Sequence, residues 1–303
     1  MAITVAAPSE TTRAWALVRL TRPWFWPLSW AGALFGAVLA TGGWLPPRGA
    51  VPASVAAAIV LGPLVWATVF ALNDLHDLPS DRRNPRKSSA PLVTGVLTPA
   101  DLRRCAGWCA AAAVATATVA GPAFVAGTAI VLLLGWLYSA PPVRLKARPG
   151  FDVAVNAIVV GVFGPLAGWS LHRPAADYPP VLAVLGVLLA AALYLPTTVL
   201  DRQADRAAGY ATSAVRWSAD ACYRTGLALW ATANAIWLAC CHLDVFVVRD
   251  SWLLQTVAAP VLVAVYAFLA RQPSIPRLAV VALAFAVPAT DFLLAYTGGV
   301  TDW

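Results

Sequence analysis

Charge is the scarcest commodity in this chain. Of its 303 residues only 12% are charged while 60% are hydrophobic, far too little charge for the surface of a soluble protein this long. Mean hydropathy is +0.72 and there are 14 Trp, which together point to a chain solvated by hydrocarbon over most of its surface. The apolar runs are unbroken, with no in-out alternation, which excludes a transmembrane β-barrel. Cysteine is sparse: five residues (Cys105, Cys109, Cys222, Cys240, Cys241). Cys105 and Cys109 share a helical face, but no His or second cysteine pair completes a zinc set, so all five read as small core residues. Lysine occurs twice, as Lys87 and Lys146. No small-residue cleavage pattern accompanies the first apolar run after Arg22-Pro23-Trp24, so that segment is expected to be retained.

Runs of about 20 apolar residues fit membrane helices. They predict nine spans, near 24–42, 52–73, 103–120, 123–139, 151–170, 179–200, 222–242, 251–270 and 277–298. Gly121-Pro122 leaves room only for a tight turn between two antiparallel helices. With nine spans, the side away from the N-terminus holds only Arg48, Arg173 and Arg249 of the 21 Lys and Arg. The positive-inside rule then places the N-terminus (residues 1–22) in the cytoplasm and the C-terminus outside, in a bacterial plasma membrane. The net charge of +7 reports topology and anionic headgroups; no nucleic-acid or protein partner is expected. The chain reads as a single transmembrane domain over 1–303, all-α, with two four-helix repeats of like orientation plus a ninth helix. The second and sixth helices echo each other in acidic ends, the fourth and eighth in Tyr138 to Lys146 and Tyr266 to Pro273.

The chemistry concentrates where the second helix ends. Asn73-Asp74-Leu75-His76-Asp77-Leu78-Pro79-Ser80-Asp81-Arg82-Arg83-Asn84-Pro85-Arg86-Lys87 carries three carboxylates and four cations directly after an apolar run. Asn73, Asp77 and Asp81 are spaced i, i+4, i+8, so a continuing helix would put them on one face. Clustered carboxylates repel unless a cation or proton holds them, and Mg²⁺ bridging to a phosphorylated substrate is a natural solution. Asp201-Arg202-Gln203-Ala204-Asp205-Arg206 repeats the i, i+4 pattern on the same expected membrane face, as an opposite wall of a two-sided cradle. Arg144 and Lys146 are placed to hold the same diphosphate. Asp152 and Asn156, on the first turns of the fifth helix, fall near that face as candidate substrate contacts. A diphosphate at the rim over a bundle lined with Trp, Phe, Leu and Val suits an isoprenyl diphosphate. Its departing diphosphate would be stabilised by Mg²⁺ and its allylic carbocation by aromatic faces. Asp291, inside the last apolar run near its outer end, is left unassigned, and His76 reads as a bystander.

These motifs carry a resemblance. Asn73-Asp74-x-x-Asp77-x-x-x-Asp81 followed by Asn84-Pro85-Arg86-Lys87-x-x-x-Pro91-Leu92-x-x-Gly95 resembles the first signature of the UbiA superfamily of intramembrane prenyltransferases. Asp201-x-x-x-Asp205-x-x-x-Gly209-x-x-Thr212 is similar to the second. Tyr138-Ser-x-Pro-Pro-x-Arg144-Leu-Lys146 resembles the loop between them, and Arg19-Leu20-x-Arg22-Pro23 the start. The resemblance implies a nine-helix bundle with a Mg²⁺-diphosphate site at the cytoplasmic rim. It implies metal binding by Asp74, Asp77, Asp81, Asp201 and Asp205 with Asn73 assisting, and diphosphate contacts from Lys146, Arg144 and Tyr138. Two departures stand out. Members acting on 4-hydroxybenzoate usually carry an Arg shortly before the Asn, whereas here the lead-in is Trp66-Ala67-Thr68-Val69-Phe70-Ala71-Leu72, which weakens a benzoate acceptor. The second signature often reads Gly-Asp, here Ala204-Asp205.

The expectation is therefore a Mg²⁺-dependent intramembrane prenyltransferase that ionises an allylic isoprenyl diphosphate and transfers the prenyl group to a small, aromatic acceptor. Asp77, Asp81, Asp201, Asp205 and Lys146 would carry the catalysis. The alternative is a terpene cyclase of the same superfamily, which traps the cation internally without an acceptor.

Overall fold

The computed structural model describes residues 10–243, 245 and 251–299; Arg249 and the first nine residues, used in the topology reading, lie outside them. Among the described residues every regular element is helical, as backbone in hydrocarbon requires, because every N–H and C=O must be satisfied within its own segment. In chain order the helices are α1 Glu10–Leu20, α2 Trp26–Thr41, α3 Val51–Ile59, α4 Val65–Asp81, α5 Pro99–Ala117, α6 Pro122–Ser139, α7 Phe151–Ile158, α8 Gly164–Trp169, α9 Pro180–Ala207, α10 Ser213–Arg216, α11 Ala219–His242, α12 Trp252–Leu269 and α13 Ile275–Gly299.

A wide π-turn joins α3 to α4 at Val60–Leu64 and another joins α7 to α8 at Val159–Phe163. The first contains Pro63, and Pro165 opens α8 just after the second. A proline removes one helical hydrogen bond and crowds the preceding turn, and the extra residue of a π-turn relieves that crowding without ending the rod. Gly121, at φ 104°, caps α6 with Pro122 at its first position, which makes the tight α5–α6 turn expected from Gly121-Pro122.

Among the described residues, seven helical stretches are long and apolar enough to cross a membrane: Glu10–Thr41, Arg48–Asp81, Pro122–Ser139, Phe151–Trp169, Pro180–Ala207, Trp252–Leu269 and Ile275–Gly298. The nine-span expectation is thus met at seven places. At the other two, α5 and α11 form as helices, but α5 opens with Asp101, Arg103 and Arg104, and α11 carries Asp220 and Arg224 in its first turns. Large apolar side chains are widely exposed, among them Trp15, Trp24, Trp108, Leu253, Phe268 and Leu283. A water-facing surface would not carry so many. The chain is an integral membrane protein.

The chain sorts into two compact units, Met1–Trp30 with Val55–Arg144, and Ala31–Ser54 with Leu145–Trp303. One boundary, between Arg144 and Leu145, falls between the expected four-helix repeats; the other two fall inside α2 and α3, so that residues 31–54 group with the second half. The first unit packs Ala16, Leu20, Ala71, Leu102 and Ala106 together with Leu92 and Leu97 from the α4–α5 connection, so that connection is folded down onto the helices. In the second unit α2 and α8 approach backbone to backbone: a methyl group added to Gly168 would run into the Ala33 carbonyl, and one on Gly36 into that of Pro165. Small residues permit this closeness where lipid supplies no hydrophobic drive between helices. Tyr266, read in the sequence as an echo of Tyr138, is a core residue: it stacks on Trp230 with ring centroids 5.3 Å apart and its hydroxyl donates to the Ala192 carbonyl.

Candidate active site

The last two turns of α4 carry the first acid motif. Asp74 and Asp81 are seven residues apart, roughly 700° around the helix and so within about 20° of two full turns. Their carboxylates accordingly converge, and Lys87 Nζ lies 3.8 Å from Asp74 Oδ1 and 3.6 Å from Asp81 Oδ2. Asp77, displaced around the helix by roughly 60° from Asp74, pairs instead with Arg144, whose Nη2 donates at 2.7 Å. Asp74 and Asp81 are thus bridged by one cation, on a helix that continues to Asp81 as the spacing of Asn73, Asp77 and Asp81 anticipates. Arg22 completes the set: its Nη2 donates to Asp74 Oδ1 at 3.0 Å while its guanidinium lies 4.0 Å above the Phe70 ring. Asn73 Nδ2 sits 3.4 Å from the same Asp74 oxygen.

Two features mark this cluster. Asp74 and Asp81 are only 7% and 9% exposed, and buried carboxylates persist where cations compensate them. Arg22 and Arg144 are also the two non-glycine residues with positive φ among the described residues, at 47° and 41°. That backbone is costly for a side-chain-bearing residue and survives where surrounding contacts over-determine it, most often at functional sites. Beneath the carboxylates the same unit carries an aromatic stack. Trp66 and Phe70, one turn apart on α4, stack at 5.1 Å, and Phe25 stacks on Trp66 at 5.3 Å. Trp66 Nε1 is anchored to Ser29 Oγ. The stripe Trp66, Phe70, Asp74 follows i, i+4 spacing, a signal present in the sequence but not used there. Arg22 and Lys87 are likewise partners that spacing along one helix does not reveal. Tyr138, in the last turn of α6, is half-buried in this unit.

In the second unit α9 ends with Asp201, which is exposed, and Asp205, which is half-buried. The chain then leaves the helix through Gly209 at φ 75°, with the Tyr210 amide donating to the Asp205 carbonyl. Thr212 Oγ1 donates to Asp205 Oδ2 at 3.1 Å. Lys146 lies half-buried in the short turn Leu145–Ala147. Asp152 is 2% exposed, and its two oxygens accept from the amide and hydroxyl of Ser213, so its carboxylate faces Ser213 rather than open space. Asn156 donates to the backbone carbonyl of Asp152.

Among the described residues no three of His, Cys, Asp and Glu gather as a protein-only metal site would require. A Mg²⁺ ion shared with a phosphorylated substrate needs fewer, since it is usually held by one or two carboxylates, phosphate oxygens and water. Asp74 and Asp81 meet that description: hard anionic oxygens that already share one cation, the Lys87 ammonium. The residues fit the metal.

Known proteins resemble the chain in sequence and in fold. Over 29% identity, covering 70% of both chains, the sequence is similar to a lycopene elongase/hydratase of Haloarcula japonica. It is 30% identical to a homogentisate phytyltransferase of a Synechocystis species over 46% of each chain. In fold it resembles a UbiA homologue of Archaeoglobus fulgidus solved with DMAPP and Mg²⁺, with TM-score 0.69 and 23% identity over 93% of this chain and 99% of that one. A digeranylgeranylglyceryl phosphate synthase structure matches at TM-score 0.70 and 15% identity, over 96% and 99% of the two chains. The sequence profile of the UbiA prenyltransferase family matches residues 29–272, and this chain belongs to that family.

Proposed function

We propose that the protein is a Mg²⁺-dependent prenyltransferase that ionises an allylic isoprenyl diphosphate and joins the prenyl group to a carbon acceptor. The observation that carries the reading is the compensated acid set of α4 lying directly beside the Phe25–Trp66–Phe70 stack. Asp74, Asp77 and Asp81, assisted by Asn73, and Asp201 and Asp205 on α9 are the proposed metal ligands. Arg144, Lys146 and Tyr138 are the proposed diphosphate contacts. The bound metal would draw negative charge off the leaving diphosphate. The allylic C–O bond breaks with its electron pair leaving on the diphosphate, the acceptor's π-electrons form the new C–C bond, and the acceptor then loses a proton. Aromatic faces such as Phe70 and Trp66 stabilise the intervening cation and keep water from it.

The acceptor side is apolar. The run Trp66 to Leu72 offers no cation to a carboxylate, which favours an acceptor engaged through a ring or alkene rather than through a benzoate group. Among the relatives, one is named for an alkene, lycopene, and one for a ring, homogentisate, which itself bears a carboxylate. The remaining parts of the proposal are nine spans in a single domain, a cytoplasmic N-terminus and an active site at the cytoplasmic rim, all resting on the distribution of Lys and Arg.

The test is an incubation of purified protein with geranyl, farnesyl and geranylgeranyl diphosphates and Mg²⁺, alone and with homogentisate or lycopene. Acceptor-dependent release of pyrophosphate with a prenylated product supports transfer. Cyclic hydrocarbons or alcohols formed without acceptor would replace it by the cyclase reading, which the aromatic stack also suits. No diphosphate cleavage under any condition would sink both.

A further inference from the structure

Asp152 carries a carboxylate that the proposed chemistry does not use, in a place where a carboxylate is expensive. It is 2% exposed at the second position of α7, after the cap Gly150. Its oxygens accept from Ser213, Oδ2 from the backbone amide at 2.8 Å and Oδ1 from the hydroxyl at 2.5 Å. The Ser213 oxygen in turn accepts from the Gly150 amide at 2.8 Å, closing a ring of three hydrogen bonds between two loops. One is the turn that carries Lys146, which reaches the ring through backbone bonds from Arg148 to the Leu145 carbonyl and from Asp152 to that of Arg148. The other is the connection that leaves α9. There Thr212, the neighbour of Ser213, donates to Asp205 Oδ2, and Gly209 takes the left-handed conformation needed to turn the chain back.

We infer that Asp152 is a positioning residue: through Ser213 and Thr212 it orients the Asp205 carboxylate, and through Gly150 it holds the Lys146 turn in register with it. The inference rests on the proposed function, in which Asp205 binds metal and Lys146 binds diphosphate. The chemistry favours an anion at this node. Two donors arrive at Asp152 from one residue, and only a carboxylate accepts both; an amide would present its own N–H₂ to one of them. A buried acceptor with charge-assisted bonds fixes geometry more tightly than a neutral one, and partners that orient metal ligands typically change metal affinity 10- to 100-fold when removed. Asn156, donating to the Asp152 carbonyl one turn along, reinforces the same turn of α7.

The experiment is a titration of the full-length protein in lipid nanodiscs with Mn²⁺, read by electron paramagnetic resonance, with inorganic pyrophosphate present. Asp152→Asn and Ser213→Ala are each expected to weaken Mn²⁺ binding by about tenfold, with the double variant no weaker than the worse single one, as residues acting through one contact require. Ser213→Ala is the milder change because it keeps the backbone amide, and it stands in for Asp152→Asn if that variant fails to fold. Asp291→Asn is the control. Asp291 belongs to another polar cluster, with Ser251 and Gln255, so its loss should lower the melting temperature without moving the Mn²⁺ titration. Unchanged Mn²⁺ binding in both Asp152→Asn and Ser213→Ala, while Asp201→Asn abolishes it, would overturn the inference and leave the proposed function standing. Equal weakening by Asp291→Asn would also overturn it, reducing Asp152 to general stability. Wild-type protein that binds no Mn²⁺, or binds it as well as Asp201→Asn does, would remove the proposed function and the inference together.

Discussion

The acid ends of α4 and α9 look alike in sequence and differ in how they are held. On α4 the carboxylates meet cations drawn from far along the chain: Arg22 from the segment before α2, Lys87 from the α4–α5 connection, Arg144 from beyond α6. Two of these arginines sit in left-handed backbone to do so. On α9, Asp205 is steadied from its own following loop, by the Thr212 hydroxyl, with Asp152 behind it. The contacts described for the first set are ion pairs, and those described for Asp205 are hydrogen bonds to a folded loop. A charge-organised set has its cations to hand, so an incoming metal must displace or rearrange them, whereas a loop-organised set depends on the loop's geometry.

Variants can break this comparison. The largest effects belong to the proposed ligands. Asp77→Ala and Asp201→Ala should each lower diphosphate release at least about a hundredfold, and near-normal turnover in either would detach that helix from the metal. Lys87→Gln should act in the opposite sense: with the shared ammonium gone from between Asp74 and Asp81, Mn²⁺ binding without pyrophosphate should tighten by about tenfold, since the repelling carboxylates then lack the cation they share. Unchanged affinity would show that the ammonium does not stand in for the metal. Thr212→Val should be milder, raising the Mg²⁺ concentration for half-maximal activity several-fold by removing one charge-assisted hydrogen bond, roughly 1.5–3 kcal/mol at most; the corresponding value for Asp77 variants should not depend on Thr212.

The smallest effect lies outside both sets. Asp101 forms a reciprocal cap with Thr98 at the start of α5 and pairs with Arg13 at 2.7 Å. Hydrogen bonds from the Thr98 amide and hydroxyl, followed by Arg13, hold its pKa down from 3.8 to about 2. Because the folded-state value is depressed, its stabilisation is present above pH 3.8 and fades as pH falls toward about 2. Asp101→Ala should cost about 1 kcal/mol near neutral pH and flatten the loss of stability between pH 4 and pH 2, as followed by thermal melts at stepped pH. An unaltered acid profile would place that loss elsewhere.

Much of this was legible in the sequence because the responsible signals are local. Apolar run length located the helices, since backbone hydrogen bonding in lipid leaves no other option, and Gly121-Pro122 announced its turn. The acid motifs were legible because carboxylates are rare in such a chain. The i, i+4 spacing of Asn73, Asp77 and Asp81 says which residues share a face of α4, which runs on to Asp81, and nothing about what approaches that face. The Arg22, Lys87 and Arg144 contacts come from sequence separations of 52, 13 and 67 residues, counted from the numbering. The rarity of lysine makes Lys87 and Lys146 conspicuous in the sequence, without saying which acids Lys87 would meet. Asp152 was visible as an acid near the right end of its helix, and only the fold turned it toward Ser213.

The sequence by itself determined that this is a membrane-embedded helical protein with two acidic helix ends, because hydropathy, charge scarcity and residue spacing act over one or two turns. Tertiary structure alone decided which cation compensates which carboxylate, that Phe25, Trp66 and Phe70 stack beside Arg22 and Asp74, and that Asp152 braces the loop of Asp205. Those outcomes depend on which distant segments pack together, and the free energy of such packing belongs to the contact rather than to either segment.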